Sequence, residues 1–223
     1  MLVLVVDDDP VARMTHLALL SRRAELTAVG AGSVEEARAF IEQTPPAVAI
    51  IDLQLPDGSG LEIMSLLDEH APTSLVIVVS AHLEAEKQPL PRNPRLHRIG
   101  KPPQLRELMQ IVGSAPLPAE VAVPFSLSDY VQLAALGHCS ALLLCSACDA
   151  AKQRGEVHLV EGQLWSARDE LGSGIMALRR LCKSPASRVV VRPEPAVRPP
   201  RTLTQPWERL LRDSPEGSDA AER

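Results

Sequence analysis

Three short runs of apolar residues, Leu2–Val6, Ala47–Ile51 and Leu75–Val79, decide what the first half of this chain can become. A strand with one wet face alternates apolar and polar residues, and a strand covered on both faces does not. Unbroken Val, Ile and Leu therefore predict parallel strands inside a sheet with helices above and below. Each run also stops abruptly at polar residues: Asp7, Asp8, Asp9 and Pro10 after the first, Asp52 after the second, Ser80 after the third. Between the runs lie helical patterns. Pro10–Arg23 is predicted to start with Asp9 as N-cap and proline at its first position, and to bury a stripe of Val11, Met14, Ala18 and Leu19. Ser33 and Glu36 have capping-box spacing at the next helix, and Leu61–Glu69 follows the turn PDGSG. With a strand at Leu26–Val29, a weak one at Leu96–Ile99 and a last helix at Leu105–Val112, the order predicts a doubly wound, five-stranded parallel α/β sheet.

Composition limits the function classes. The chain is 45% hydrophobic but only 2% aromatic, so its core must be Leu, Val, Ile and Ala. Residues 1–118 hold 10 Lys/Arg against 15 Asp/Glu, and the remainder is balanced. Neither half has the basic excess of a nucleic-acid binder. No apolar run is long enough to span a membrane, and no basic-apolar-small leader precedes the first strand. A cytoplasmic setting without membrane or nucleic-acid partners is expected, with the cysteines at 139, 145, 148 and 182 as thiols.

Open parallel sheets place ligand sites beyond the carboxyl ends of their strands. There Asp7, Asp8, Asp52, Ser80 and Lys101 should converge. One aspartate at a strand end is most commonly a cap or a turn residue; polar residues at four successive strand ends are a stronger signal. Clustered carboxylates repel unless a cation joins them, most naturally Mg²⁺ with its preference for oxygen ligands. A nucleophilic aspartate, a hydroxyl and an ammonium beside a divalent ion suit phosphoryl transfer to a carboxylate.

With VVDDDP, IDLQLPDGSG, VVSA and KPP, residues 1–113 resemble the response-regulator receiver domain of two-component signalling. The resemblance implies an acidic pair at Asp7 and Asp8, with Asp8 a direct Mg²⁺ ligand, and Asp52 as phosphoacceptor. It makes Gln54 a carbonyl donor to the metal, Ser80 the hydroxyl that follows the phosphoryl group, and Lys101 the lysine before a cis proline, Pro102. The phosphoryl source would be a histidine kinase or a small phosphodonor, with no enzymatic activity beyond phosphorylation and dephosphorylation of Asp52. Two features depart from the family. Arg98 stands where it has an aromatic switch residue. Pro89, Pro91 and Pro94 interrupt the stretch where a fourth helix is due.

Residues 114–124 form a Pro/Ala linker. Residues 125–192 resemble a PATAN-type domain through FSLSDYVQLAALGHCSALLLCS and GEVHLVEGQLWSARDELGSGIMALRRL, which implies a smaller α+β adaptor with antiparallel strands that engages a partner protein. Ser126 or Ser128 is expected to cap its first helix. Strands are expected at Ala141–Cys145, Gly155–Val160, Gln163–Ala167 and Arg188–Arg192, and a helix at Gly172–Cys182. Cys145 and Cys148 have C-x-x-C spacing, read as buried thiols ahead of half a zinc site. His138 and His158 are read as solvent-facing or core residues, Trp165 as core, Asp169 and Glu170 as a helix entry, and Arg179 with Arg180 as a solvated face. Residues 193–223 are a Pro-rich tail with one short helix at Trp207–Arg212 and a disordered end. Three readings remain open: a phosphorylated response regulator acting through protein contacts, a phosphorylation-independent scaffold, and a DNA-binding regulator. A homodimer is compatible with each.

Overall fold

The structure, a computed structural model, describes residues 1–80, 93–101, 103–115, 122–147, 153–183 and 187–212. The proline-broken segment up to Arg92, Pro102, the middle of the linker, Cys148 and residues 213–223 lie outside the described residues. The chain divides into two compact units, Met1–Phe125 and Ser126–Arg223.

In the first unit the strands are β1 (Leu2–Val6), β2 (Thr27–Ala31), β3 (Val48–Asp52), β6 (Leu75–Ser80) and β7 (Leu96–Gly100), with the two-residue pair β4 (Gln54–Leu55) and β5 (Gly58–Ser59) after β3. The helices are α1 (Pro10–Leu20), α2 (Val34–Gln43), α3 (Gly60–His70) and α4 (Leu105–Val112). The main sheet has the order β2-β1-β3-β6-β7, all parallel. The predicted doubly wound sheet is what forms. Val3, Val5, Val48, Ile50, Leu75 and Ile77 pack with Leu20 of α1 and Leu108 and Val112 of α4 on one face. The alternate residues Leu4, Val6, Ala49, Ile51, Val76 and Val78 are equally buried, as a sheet covered on both faces requires.

Several boundaries and faces differ from the sequence reading. Helix α1 ends at Leu20, and it turns His16, Leu17 and Leu20 inward, leaving Val11 and Met14 71% and 69% exposed. Its phase is set at its entry, where the Asp9 side chain accepts from the Val11 N–H at 2.8 Å and the Arg13 guanidinium reaches back to the Asp7 carbonyl. Strand β2 is shifted to Thr27–Ala31, in register with β1 from Leu2↔Thr27 to Val6↔Ala31. Ser33 caps α2 as expected, but Glu36 accepts from Gly32 N–H and so closes no full box. A full box forms instead at α3 between Ser59 and Glu62.

The second unit holds α5 (Leu127–Leu136), β8 (Ala141–Ala147), β9 (Gln153–Val160), β10 (Gln163–Asp169), β11 (Gly172–Ser173), α6 (Ile175–Cys182), β12 (Ser187–Arg192) and α7 (Trp207–Arg212). Its sheet runs β11-β10-β9-β8-β12 with antiparallel pairing throughout. Ser126 is the N-cap of α5, in a capping box with Asp129. Gly155 is required by close approach: a Cβ there would lie 2.5 Å from the Arg168 carbonyl oxygen.

Gly172 does not open the helix. It pairs with Asp169, and α6 starts three residues later. Asp169 closes β10 and accepts two hydrogen bonds from Arg180 at 2.6 and 2.8 Å, so Arg180 is an anchor of the turn rather than part of a solvated face. Trp165 is half-buried. Its Nε1 donates to the Pro199 carbonyl, and the Arg201 guanidinium lies 5.0 Å from its ring. Residues of the Pro-rich stretch are thereby packed on β10, and Leu203, Trp207 and Leu210 are buried. Among the described residues no helix is long and apolar enough to cross a membrane.

Candidate phosphoacceptor site

The carboxyl ends of β1, β3, β6 and β7 share one edge because all four strands are parallel neighbours. Asp7 follows β1 and is 2% exposed; Asp8 beside it is exposed. Asp52 ends β3, Ser80 ends β6 as a buried residue, and Lys101 follows β7. The Lys101 N–H donates to the Ser80 carbonyl at 2.9 Å, extending the β6–β7 ladder to the site.

The side chains converge as the strand-end argument requires. The Lys101 ammonium donates to Asp52 Oδ2 and lies 3.4 Å from Asp7 Oδ2. Burial alone would lower the Lys101 pKa, but the hydrogen bond and charge of Asp52, then those of Asp7, carry it above its ordinary value. Asp7, Asp8 and Asp52 each bring a carboxylate oxygen within 4.8 Å of the others, and this is the one such group among the described residues. Three hard oxygen donors so close together fit a cation such as Mg²⁺. Asp52 Oδ1 accepts from the Gln54 N–H at 3.2 Å, which orients the carboxylate. Gly60 makes this turn possible, since a Cβ there would stand 2.3 Å from the Asp52 carbonyl oxygen.

Three contributors are absent from the sequence reading. Arg13 donates to the carbonyls of Asp7 and Asp8 and so pins the acidic turn. Asp57, in the turn after Asp52, accepts from Val34 N–H at 2.8 Å and Glu35 N–H at 3.0 Å. His16 is buried on α1, with its Nδ1 lacking a hydrogen-bond partner. Burial holds its pKa below the ordinary value; Asp7 opposes this and Lys101 reinforces it. Arg98, in the expected switch position, is half-buried on β7 beside Val78. Away from this site Cys145 is a buried thiol, pushed up to about 12 by burial and the neighbouring Cys182.

A doubly wound sheet with an acidic triad, a buried hydroxyl and an ammonium at its carboxyl edge defines the class, a receiver domain of two-component signalling. Residues 3–112 match the family model described as the response regulator receiver domain, and this part of the chain is a receiver domain. Curated relatives include the photosynthetic apparatus regulatory protein RegA of Cereibacter sphaeroides, 36% identical over 36% of this chain and 43% of that protein. The DNA-binding transcriptional activator DevR/DosR of Mycobacterium tuberculosis is 38% identical over 38% of this chain and 39% of that protein. The chain thus spans less than half the length of these relatives. A solved response regulator receiver protein from Pseudomonas putida is 30% identical, covering 51% of this chain and 96% of its own, with a TM-score of 0.42.

Proposed function

We propose that this protein is a response regulator that takes a phosphoryl group onto Asp52 and passes the change to a partner protein through its second unit. The observation that carries the reading is the sharing of one ammonium, Lys101, between Asp52 and Asp7 beside Asp8. A carboxylate oxygen of Asp52 attacks the phosphorus of a histidine kinase's phosphohistidine or of a small phosphodonor. The new P–O bond forms as the bond to the leaving group breaks, and the leaving group departs with that electron pair. Lys101 donates to the phosphoryl oxygens and the Ser80 hydroxyl follows. Asp7, Asp8, Asp52 and the Gln54 carbonyl would hold Mg²⁺, which when bound offsets charge on the transferring group.

The second unit is proposed as a PATAN-type adaptor without catalytic or DNA-binding function. Its support is an antiparallel sheet flanked by helices, with no basic excess in this half of the chain. A phosphorylation-independent scaffold is the competing reading, favoured by Arg98 on β7. Incubation of the full chain with Mg²⁺ and acetyl phosphate is expected to add the mass of one phosphoryl group, and Asp52→Ala to abolish the gain. No gain in the wild-type chain refutes the proposal in favour of the scaffold.

A further inference from the structure

Arg95, immediately before β7, has the largest fully buried side chain among the described residues, at 0% exposed. A guanidinium is hidden this way only when its donors are met, and here they are met by α3, by the loop after it and by the chain that leads out of the first unit. Nη1 donates to Asp68 Oδ1 at 2.7 Å and to the Val123 carbonyl at 3.1 Å, and Nε donates to the Ser74 carbonyl at 3.1 Å. The Phe125 ring, itself buried, lies 4.5 Å from the guanidinium carbon. The second carboxylate oxygen of Asp68 accepts from the Phe125 N–H at 3.0 Å. Asn93 Nδ2 donates to the carbonyls of Val123 and Pro124 at 3.2 and 3.0 Å, while its Oδ1 accepts from the Arg95 N–H. Three side chains thus grip the backbone of residues 123–125, and the next residue, Ser126, is the N-cap of α5.

We propose that Asp68, Asn93 and Arg95 form a socket for the connector at Val123–Phe125, and that phosphorylation of Asp52 opens it through β7. The inference rests on the phosphoacceptor reading above. The socket is divided between two bodies. Asp68 belongs to α3, and Ser74 directly precedes β6. Asn93 and Arg95 directly precede β7, the strand whose far end carries Lys101. A strand of this length spans roughly 17 Å and is stiff along its axis. When Lys101 leaves Asp7 for a phosphoryl group on Asp52, the pull is applied to β7 and not to α3. The Arg95–Asp68 pair, which bridges the two, is where the displacement is felt. Loss of that pair frees Phe125 and gives residues 123–125 back to the linker.

The test uses the full chain with Mg²⁺ and acetyl phosphate, intact mass reporting phosphoryl uptake and hydrogen exchange reporting the Phe125 amide. Phosphorylation is expected to speed that exchange by about tenfold. Asn93→Ala is expected to do the same in the unmodified chain while leaving phosphoryl uptake unchanged. Uptake without faster exchange overturns the socket switch and leaves the phosphoacceptor reading standing. Absence of uptake overturns the reading and the coupling with it. An Asn93→Ala chain that exchanges at the wild-type rate shows that these side chains do not hold the connector, and the inference falls.

Discussion

At the scale of single residues, the carboxyl edge of the first unit's sheet brings the Lys101 ammonium to Asp52 and Asp7, and α1 buries His16 within reach of the charges of Asp7 and Lys101. Asp52 and Lys101 stand at the ends of strands whose apolar runs are unmistakable, so topology alone brings them together. Arg13 and His16 lie within an ordinary helical pattern, and nothing in their spacing shows that α1 turns them toward the sheet while Val11 and Met14 face water. His16 has a measurable consequence. Burial disfavours its charged form, so its folded-state pKa lies below 6.5, and burial lowers His97 in the same direction. The unfolded chain then binds more protons as the pH falls through 6.5, and stability present above that value is lost on the acid side. His16→Leu is expected to flatten this decline in the thermal midpoint between neutral and mildly acid pH, with His97 supplying the remaining slope. An unaltered slope in His16→Leu would show that the imidazole titrates as in the unfolded chain.

At the scale of elements, the apolar patterns found every helix and main strand among the described residues of the first unit, while ends and phases moved because they answer to hydrogen bonds between distant residues. The α2 entry is an example. Ser33 was visible as a cap, but the carboxylate of Asp57, 23 residues beyond Val34, caps the same turn by accepting from Val34 and Glu35. Burial would raise the Asp57 pKa, yet those two backbone donors bring it below the ordinary value. Its contribution to stability is therefore present above pH 3.8 and fades as the pH falls through the lower folded-state value. Asp57→Ala is expected to cost about 1 kcal/mol at neutral pH, typical for a lost N-terminal cap. A lower urea midpoint at unchanged slope is the measurement. A midpoint that does not move would mean that water replaces the carboxylate at no net loss. β11 shows the same limit from another side. Gly172 and Ser173 read as the start of a helix, but Gly174, with φ of +82° and ψ of −152° in a region that only glycine adopts readily, lets the chain form a two-residue ladder with β10 first.

At the scale of the whole molecule, proline content marked residues 193–223 as a tail, yet the described part of that stretch is built into the second unit. The backbone N–H groups of Thr202 and Leu203 donate to the Trp165 carbonyl at 3.0 and 3.1 Å, and Arg201 reaches both the Leu203 carbonyl and Gln163. Proline blocks helix and ladder but does not prevent an extended segment from lying against a sheet, so composition alone misjudges it. Leu203, Trp207 and Leu210 are 2%, 9% and 2% exposed. Each contributes about 2 kcal/mol on burial, on the order of 6 kcal/mol together, which rivals the net stability of a small domain. A chain ended after Arg192 is therefore expected to lose the folded second unit, whereas one ended after Arg212 keeps it. Both tryptophans lie in that unit, and Trp165 survives either truncation, so its fluorescence during urea unfolding reads the second unit directly. A cooperative transition of undiminished midpoint in the shorter chain would show that the segment merely rests on β10. Its absence there, with a wild-type transition in the longer chain, makes residues 193–212 part of the second unit's core.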